Sequence, residues 1–197
     1  AKTIGKWHKR PNPYQPPSLI NVSAMSFGAL SARAVSSLNK GAKLANCYQN
    51  TGEGGLAPYH EFGADVVYQI GTGLFGCRSA DGHFDADKLK ALVARVPQVK
   101  AIEIKLSQGA KPGKGGVLPG KKVSAEIAQI RTVQEGQDCI SPNRHVEFST
   151  PAELIAFIER VAAVSQRPVG IKSAIGAIEF WHELADLMAK DQTRGPD

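Results

Sequence analysis

Short apolar runs alternate along this chain with amphipathic, helix-like segments, and glycine or polar residues stand where the runs end. Leu19–Met25, Cys47–Asn50, Val66–Ile70, Ala101–Leu106 and Pro168–Lys172 read as strands. Helical periodicity follows Ser31, Asp85, Ser124 and Thr150, each of a type that caps a helix, and a last helix covers Ala177 to Lys190. Tight hairpin signals are few. Such alternation predicts an α/β fold with a parallel sheet and crossover helices, in about five strand–helix units.

The strand ends point to where a site would lie. Ala24-Met25-Ser26, Asn50-Thr51-Gly52, Gly71-Thr72-Gly73, Gln108-Gly109 and Lys172-Ser173 all follow strands, and α/β barrels keep their sites at the carboxyl ends of parallel strands. Gly71 to Gly76 matches the glycine spacing of a dinucleotide loop. No helical periodicity follows it, so a dinucleotide fold is not expected. Walker and Gly-x-Ser-x-Gly motifs are absent. Residues 1–17, basic and proline-rich, read as an extended arm rather than a packed element, and residues 18–197 as the main domain.

Composition narrows the function classes. Lys and Arg total 24 against 18 Asp and Glu, a net charge of +6. The basic residues gather at the N-terminus, with only Trp7 among them, and in one glycine-rich loop without aromatics, so no nucleic-acid partner is expected. The scattered cysteines Cys47, Cys77 and Cys139 suit neither a disulfide framework nor a zinc knuckle, and a reducing, cytoplasmic setting is the natural reading. Cys77 reads as a small buried hydrophobe. The histidines His60, His83, His145 and His182 lack metal-site pairing, and no metal is expected. No apolar run reaches the ~18–20 residues of a membrane span.

Three places leave two readings open on their residues alone. Glu53, between Gly52 and Gly54-Gly55, is either a substrate contact on a backbone cradle or an exposed carboxylate on a flexible turn. Lys105 alternates with Glu103, so the two share a face; they form either a structural ion pair or part of a ligand site with Gln108 and Lys111. Lys172 either stabilises charge on a cofactor ring or snorkels to water.

Ser23 to Ser31, Asn50-Thr51-Gly52-Glu53-Gly54-Gly55, and the long run from Lys105 through Gln108-Gly109-Ala110-Lys111-Pro112-Gly113 to Lys121 together resemble the FMN-binding synthase domain of glutamate synthase. Val123 to Arg131 and Ile140-Ser141-Pro142 continue the resemblance, which runs from about Leu19 to the end and is closest to the stand-alone FMN-binding glutamate synthase-like proteins. The resemblance implies a TIM (β/α)8 barrel with FMN at the carboxyl ends of its strands. It implies an oxidoreductase acting on CH-NH2 donors, which turns 2-oxoglutarate and ammonia into L-glutamate through 2-iminoglutarate. By position, Ala24, Met25, Ser26, Asn50, Thr51, Gln108 and Lys172 would hold FMN, and Glu53, Lys105 and Lys111 would be the catalytic, substrate-side residues.

Departures from the family pattern shape the expectation. Later strands with phosphate-binding loops, the iron–sulfur cysteines and an amino-terminal nucleophilic cysteine have no counterpart here. A barrel typically needs eight strands and about 250 residues, so the chain is expected to be the first part of a partial barrel. It would need an electron donor and a C-terminal barrel half, bind FMN weakly or not at all alone, and self-associate through an exposed edge strand. Two alternatives stand beside this reading: a non-catalytic flavin-binding or scaffold fragment, and an FMN barrel enzyme acting on another keto or imino acid.

Overall fold

The computed structural model describes residues 2–109 and 115–197. Among them lie five α-helices and a four-stranded parallel sheet. Helix α1 (Ala32–Leu44) leads to strand β1 (Gln49–Asn50). Strand β2 (Val66–Ile70), helix α2 (Ala86–Arg95) and strand β3 (Val99–Lys105) follow. An excursion then carries β4 (Val117–Leu118), α3 (Ala125–Arg131) and β5 (Cys139–Ile140). Helix α4 (Pro151–Ser165), strand β6 (Val169–Lys172) and helix α5 (Ile178–Lys190) complete the order.

Local chemistry starts these helices where the sequence predicts. The side chains of Ser31, Asp85, Ser124 and Thr150 each accept a backbone N–H from the first turn of α1, α2, α3 and α4. Thr150 and Glu153 form a reciprocal capping box, with Pro151 in the first turn.

The sheet order is β1-β2-β3-β6, so each new strand joins the same growing edge in chain order. Register sorts the side chains into two faces. Gln49, Val66, Tyr68, Ile70, Ile102, Ile104, Val169 and Ile171 share one face. There Leu89 and Val93 of α2, Leu154, Ile158 and Val161 of α4, and Leu184 of α5 pack on it as the main core. Helix α1 sits on that face too, where Asn39 Nδ2 donates to Gln49 Oε1 at 2.8 Å. The second face carries Asn50, Val67, Gln69, Ala101, Glu103, Lys105, Gly170 and Lys172. A bulge sets this division: Val66 pairs with Val99 but Val67 with Ala101, so Lys100 is the extra residue and the alternation switches there.

Three expectations are corrected. Leu19–Met25 is not a buried strand: Leu19 and Ile20 are 98% and 84% exposed, and only Val22 bridges to the sheet, in parallel with Gln49. The amino-terminal arm is packed rather than free. Ile4 and Tyr14 bridge antiparallel, and Tyr14 packs on Val67 and Ala101 at the amino end of the second face. Arg10 donates to Glu159 (2.6 and 2.8 Å) and to Asp197 (2.9 Å), whose other contacts are His8 and the Val169 N–H. The excursion after β3 holds more than a loop and one helix: β4 and β5 pair antiparallel within it.

Candidate functional site

A cavity of about 380 Å3 lies over the carboxyl ends of the strands on the second face. The segment after the Val22 bridge gives it Ala24 and Ser26, the turn after β1 gives Gly52 and Glu53, and β2 gives Gln69. The end of β3 gives Lys105 and Gln108, β6 gives Lys172, and the excursion closes over them with Gly116, Lys122, Arg131, Cys139 and Ser141. Four cations thus surround one carboxylate.

The glycines of the Asn50–Gly55 turn explain its packing. Gly52 has φ +66°, and a Cβ there would lie 2.8 Å from the Ser26 backbone nitrogen. A Cβ on Gly54 would lie 2.9 Å from Arg131 Nη2. The turn is therefore a close-packed cradle, not a flexible one. Glu53 is half-buried, and its Oε2 lies 3.4 Å from Lys105 Nζ. Lys105 Nζ also donates to Gln108 Oε1. Glu103, the sequence-level partner suggested for Lys105, instead accepts from Asn50 Nδ2 (2.9 Å) and from Gln69 Nε2.

Of the residues singled out by sequence, Ala24, Ser26, Glu53, Lys105, Gln108 and Lys172 line the cavity together. Met25, Asn50 and Thr51 stand behind it. Met25 accepts from His60 Nε2 at 3.1 Å. Asn50 Oδ1 accepts the Gly52 N–H at 2.9 Å. The Thr51 hydroxyl donates to Gly52 O and accepts the Gln69 N–H. Lys111 lies outside the described residues.

Arg131 and Gln69 are cavity residues that sequence reasoning missed. Arg131 is only 6% exposed. Its Nη2 donates to Phe27 O at 3.0 Å, its Nη1 reaches Cys139 Sγ at 3.6 Å, and its Nε is buried with no partner among the described residues. A buried guanidinium without a carboxylate is costly unless a ligand supplies the anion. The available signal was an arginine closing an apolar helix that begins next to the glycine-rich loop.

Two buried imidazoles pin the backbone behind the cavity. His60 Nε2 holds Met25 O, while Nδ1 accepts the Ala57 N–H. His145 Nε2 donates to Lys105 O at 2.8 Å. Burial lowers both pKa values, so both rings are held neutral. Burial also pushes the Cys77 thiol up to about 12, as suits an inert core residue. Among the described residues no His, Cys, Asp or Glu cluster could hold a metal ion, and no helix is long and apolar enough to cross a membrane.

Comparison with known proteins assigns the family. Residues 5–192 match the conserved region of glutamate synthase, a span that takes in most of the arm. The chain is 48% identical over 192 residues to the glutamate synthase large subunit-like protein YerD of Bacillus subtilis, covering 96% of this chain and 36% of the relative. It is 35% identical over 178 residues to an archaeal-type glutamate synthase [NADPH] of a Thermotoga species, covering 89% of this chain and 31% of that one. With the archaeal glutamate synthase [NADPH] of Methanocaldococcus jannaschii, identity is 35% over 158 residues, 79% of this chain and 28% of the relative. The chain thus spans about a third of the length of these relatives. With its motifs gathered around one cationic cavity, the chain belongs to the glutamate synthase family.

Proposed function

We propose that this chain forms the flavin- and substrate-facing wall of a glutamate synthase-type oxidoreductase, in which 2-oxoglutarate and ammonia condense to 2-iminoglutarate and are reduced to L-glutamate. The observation that carries the reading is the cavity's charge: Lys105, Lys122, Arg131 and Lys172 against Glu53, with the Arg131 Nε buried and unpartnered. A dicarboxylate supplies the anions such a site lacks.

The residues also fit the ring of FMN. Ala24 and Ser26 offer a flat backbone wall, Gln69 and Gln108 offer amides to a heterocycle edge, and Lys172 offers a cation at the strand end. When bound, FMN supplies the hydride. The protein's part is to hold the acceptor carbon against the ring and exclude water. Arg131 and Lys122 would take one carboxylate, and Lys105, set by Glu53, would stabilise negative charge beside the carbon that changes hybridisation. Lys111 belongs to this set by family position.

The sheet supports the barrel reading. Strands added in chain order at one edge, with the crossover helices α2 and α4 on one face, are the winding of a (β/α)8 barrel. Parallel sheets are normally covered on both faces, so further strands of a longer polypeptide would close the second face. An electron donor, a cytoplasmic setting and self-association of the isolated chain are part of the same proposal.

Flavin binding is tested by quenching of FMN fluorescence on titration with this chain. Saturable quenching is expected, weakened at least severalfold by Lys172→Ala. Quenching indifferent to Lys172→Ala removes the flavin assignment from this wall.

A further inference from the structure

Glu103 stands on the interior strand β3, on the second face, between the packed amino end and the cavity. It is half-buried and pairs with no cation among the described residues. Both of its recorded partners are side-chain amides: Asn50 Nδ2 at 2.9 Å, from β1, and Gln69 Nε2, from β2. An ionised carboxylate accepts hydrogen bonds and donates none. It therefore dictates which end of each amide faces it.

The consequence runs to the cavity. With Nδ2 drawn to Glu103, Asn50 must turn Oδ1 the other way, where it accepts the Gly52 N–H at 2.9 Å. Gly52 has no freedom to drift, since it is wedged against the Ser26 backbone at a positive φ. The next residue is Glu53, whose carboxylate meets Lys105 Nζ. Gln69, held by the same carboxylate oxygen, keeps its carbonyl oxygen as the end available to an N–H of a ligand in the cavity it lines.

We infer that Glu103 is a positioning residue: its carboxylate orients the Asn50 and Gln69 amides, and through Asn50 it fixes the Gly52–Glu53 turn against Lys105. The geometry belongs to the apo chain, so it stands apart from the flavin and dicarboxylate assignments, although its use in catalysis rests on them.

The test needs no ligand. Amide hydrogen exchange and side-chain NH2 resonances are compared by NMR in the wild-type chain, Glu103→Gln and Glu103→Leu. In Glu103→Leu, exchange at Gly52 should speed up about tenfold, the size expected for one lost hydrogen bond. The Asn50 and Gln69 NH2 resonances should move toward free-amide positions, while Ile102 and Ile104 in β3 keep their protection. Glu103→Gln has one carbonyl oxygen to offer and should restore part of the Gly52 protection. A uniform rise in exchange across β3 and the turn, in both variants, would mean that Glu103 only stabilises the sheet and would overturn the positioning role. So would unchanged Gly52 exchange with unmoved amide resonances in either variant. If Glu103→Leu does not fold, the Gln variant alone decides: a change confined to Gly52, Asn50 and Gln69 supports the role, and no change there refutes it.

Discussion

The two faces of the four-stranded sheet are made by the same strands and differ in almost everything else. On one, Val66, Tyr68, Ile70, Ile102, Ile104 and Val169 are fully or almost fully buried under α2, α4 and α5. On the other stand Asn50, Gln69, Glu103, Lys105 and Lys172, the first four tied to each other and to loops by hydrogen bonds and one ion pair. The difference teaches that a two-residue period divides labour along a strand. One set of positions supplies the burial that folds the chain, and the set between them supplies chemistry at the carboxyl end.

The sharpest break of this comparison is a truncation on the packed face. Ile104→Ala should cost about 2–5 kcal/mol in urea unfolding, because it leaves a cavity in the main core between the sheet and its helices. A loss below about 0.5 kcal/mol would show that the helix face does not carry the stability.

A smaller effect sharpens the other side. Gly52→Ala forces a Cβ to 2.8 Å from the Ser26 nitrogen at φ +66°, and strain of about 1–3 kcal/mol is expected. Gly170→Ala, also on the second face, meets nothing within 4 Å and should change stability by less than about 0.5 kcal/mol. Equal midpoints for the two variants would contradict the close-packed cradle.

The smallest effect is on pH. His60 and His145 have pKa values lowered by burial from the ordinary 6.5, so the unfolded chain binds protons that the folded chain refuses. Stability from these rings is complete above pH 6.5 and is lost as pH falls through their lowered values. Because both pin backbone at the cavity, amides near Met25 and Lys105 should lose exchange protection before those of β2 do. Protection lost first in β2 would reverse the assignment.

Much of this division was legible in the sequence. The caps Ser31, Asp85, Ser124 and Thr150 act within three residues, and β2 has enough apolar residues to show its bounds. The alternation of Glu103 and Lys105 correctly put them on one face. What stayed hidden depends on distant partners. Arg10 meets residues more than a hundred positions away, so its proline-rich segment looked free. Strands β4 and β5 are two residues each, too short for any period. Nothing local marks Arg131 as buried; only the fold places it beside Phe27 and Cys139. The barrel and FMN readings came from resemblance, and no composition or spacing argument would have reached them.

The most direct test of the site is a calorimetric titration of this chain with 2-oxoglutarate, beside Arg131→Met and a monocarboxylate control. The expected result is saturable one-to-one binding of the dicarboxylate that weakens at least tenfold in Arg131→Met, with the far-ultraviolet spectrum and unfolding cooperativity retained. Binding that is indifferent to Arg131, no preference for the dicarboxylate, or no binding at all would contradict the assignment of the second face as a substrate wall.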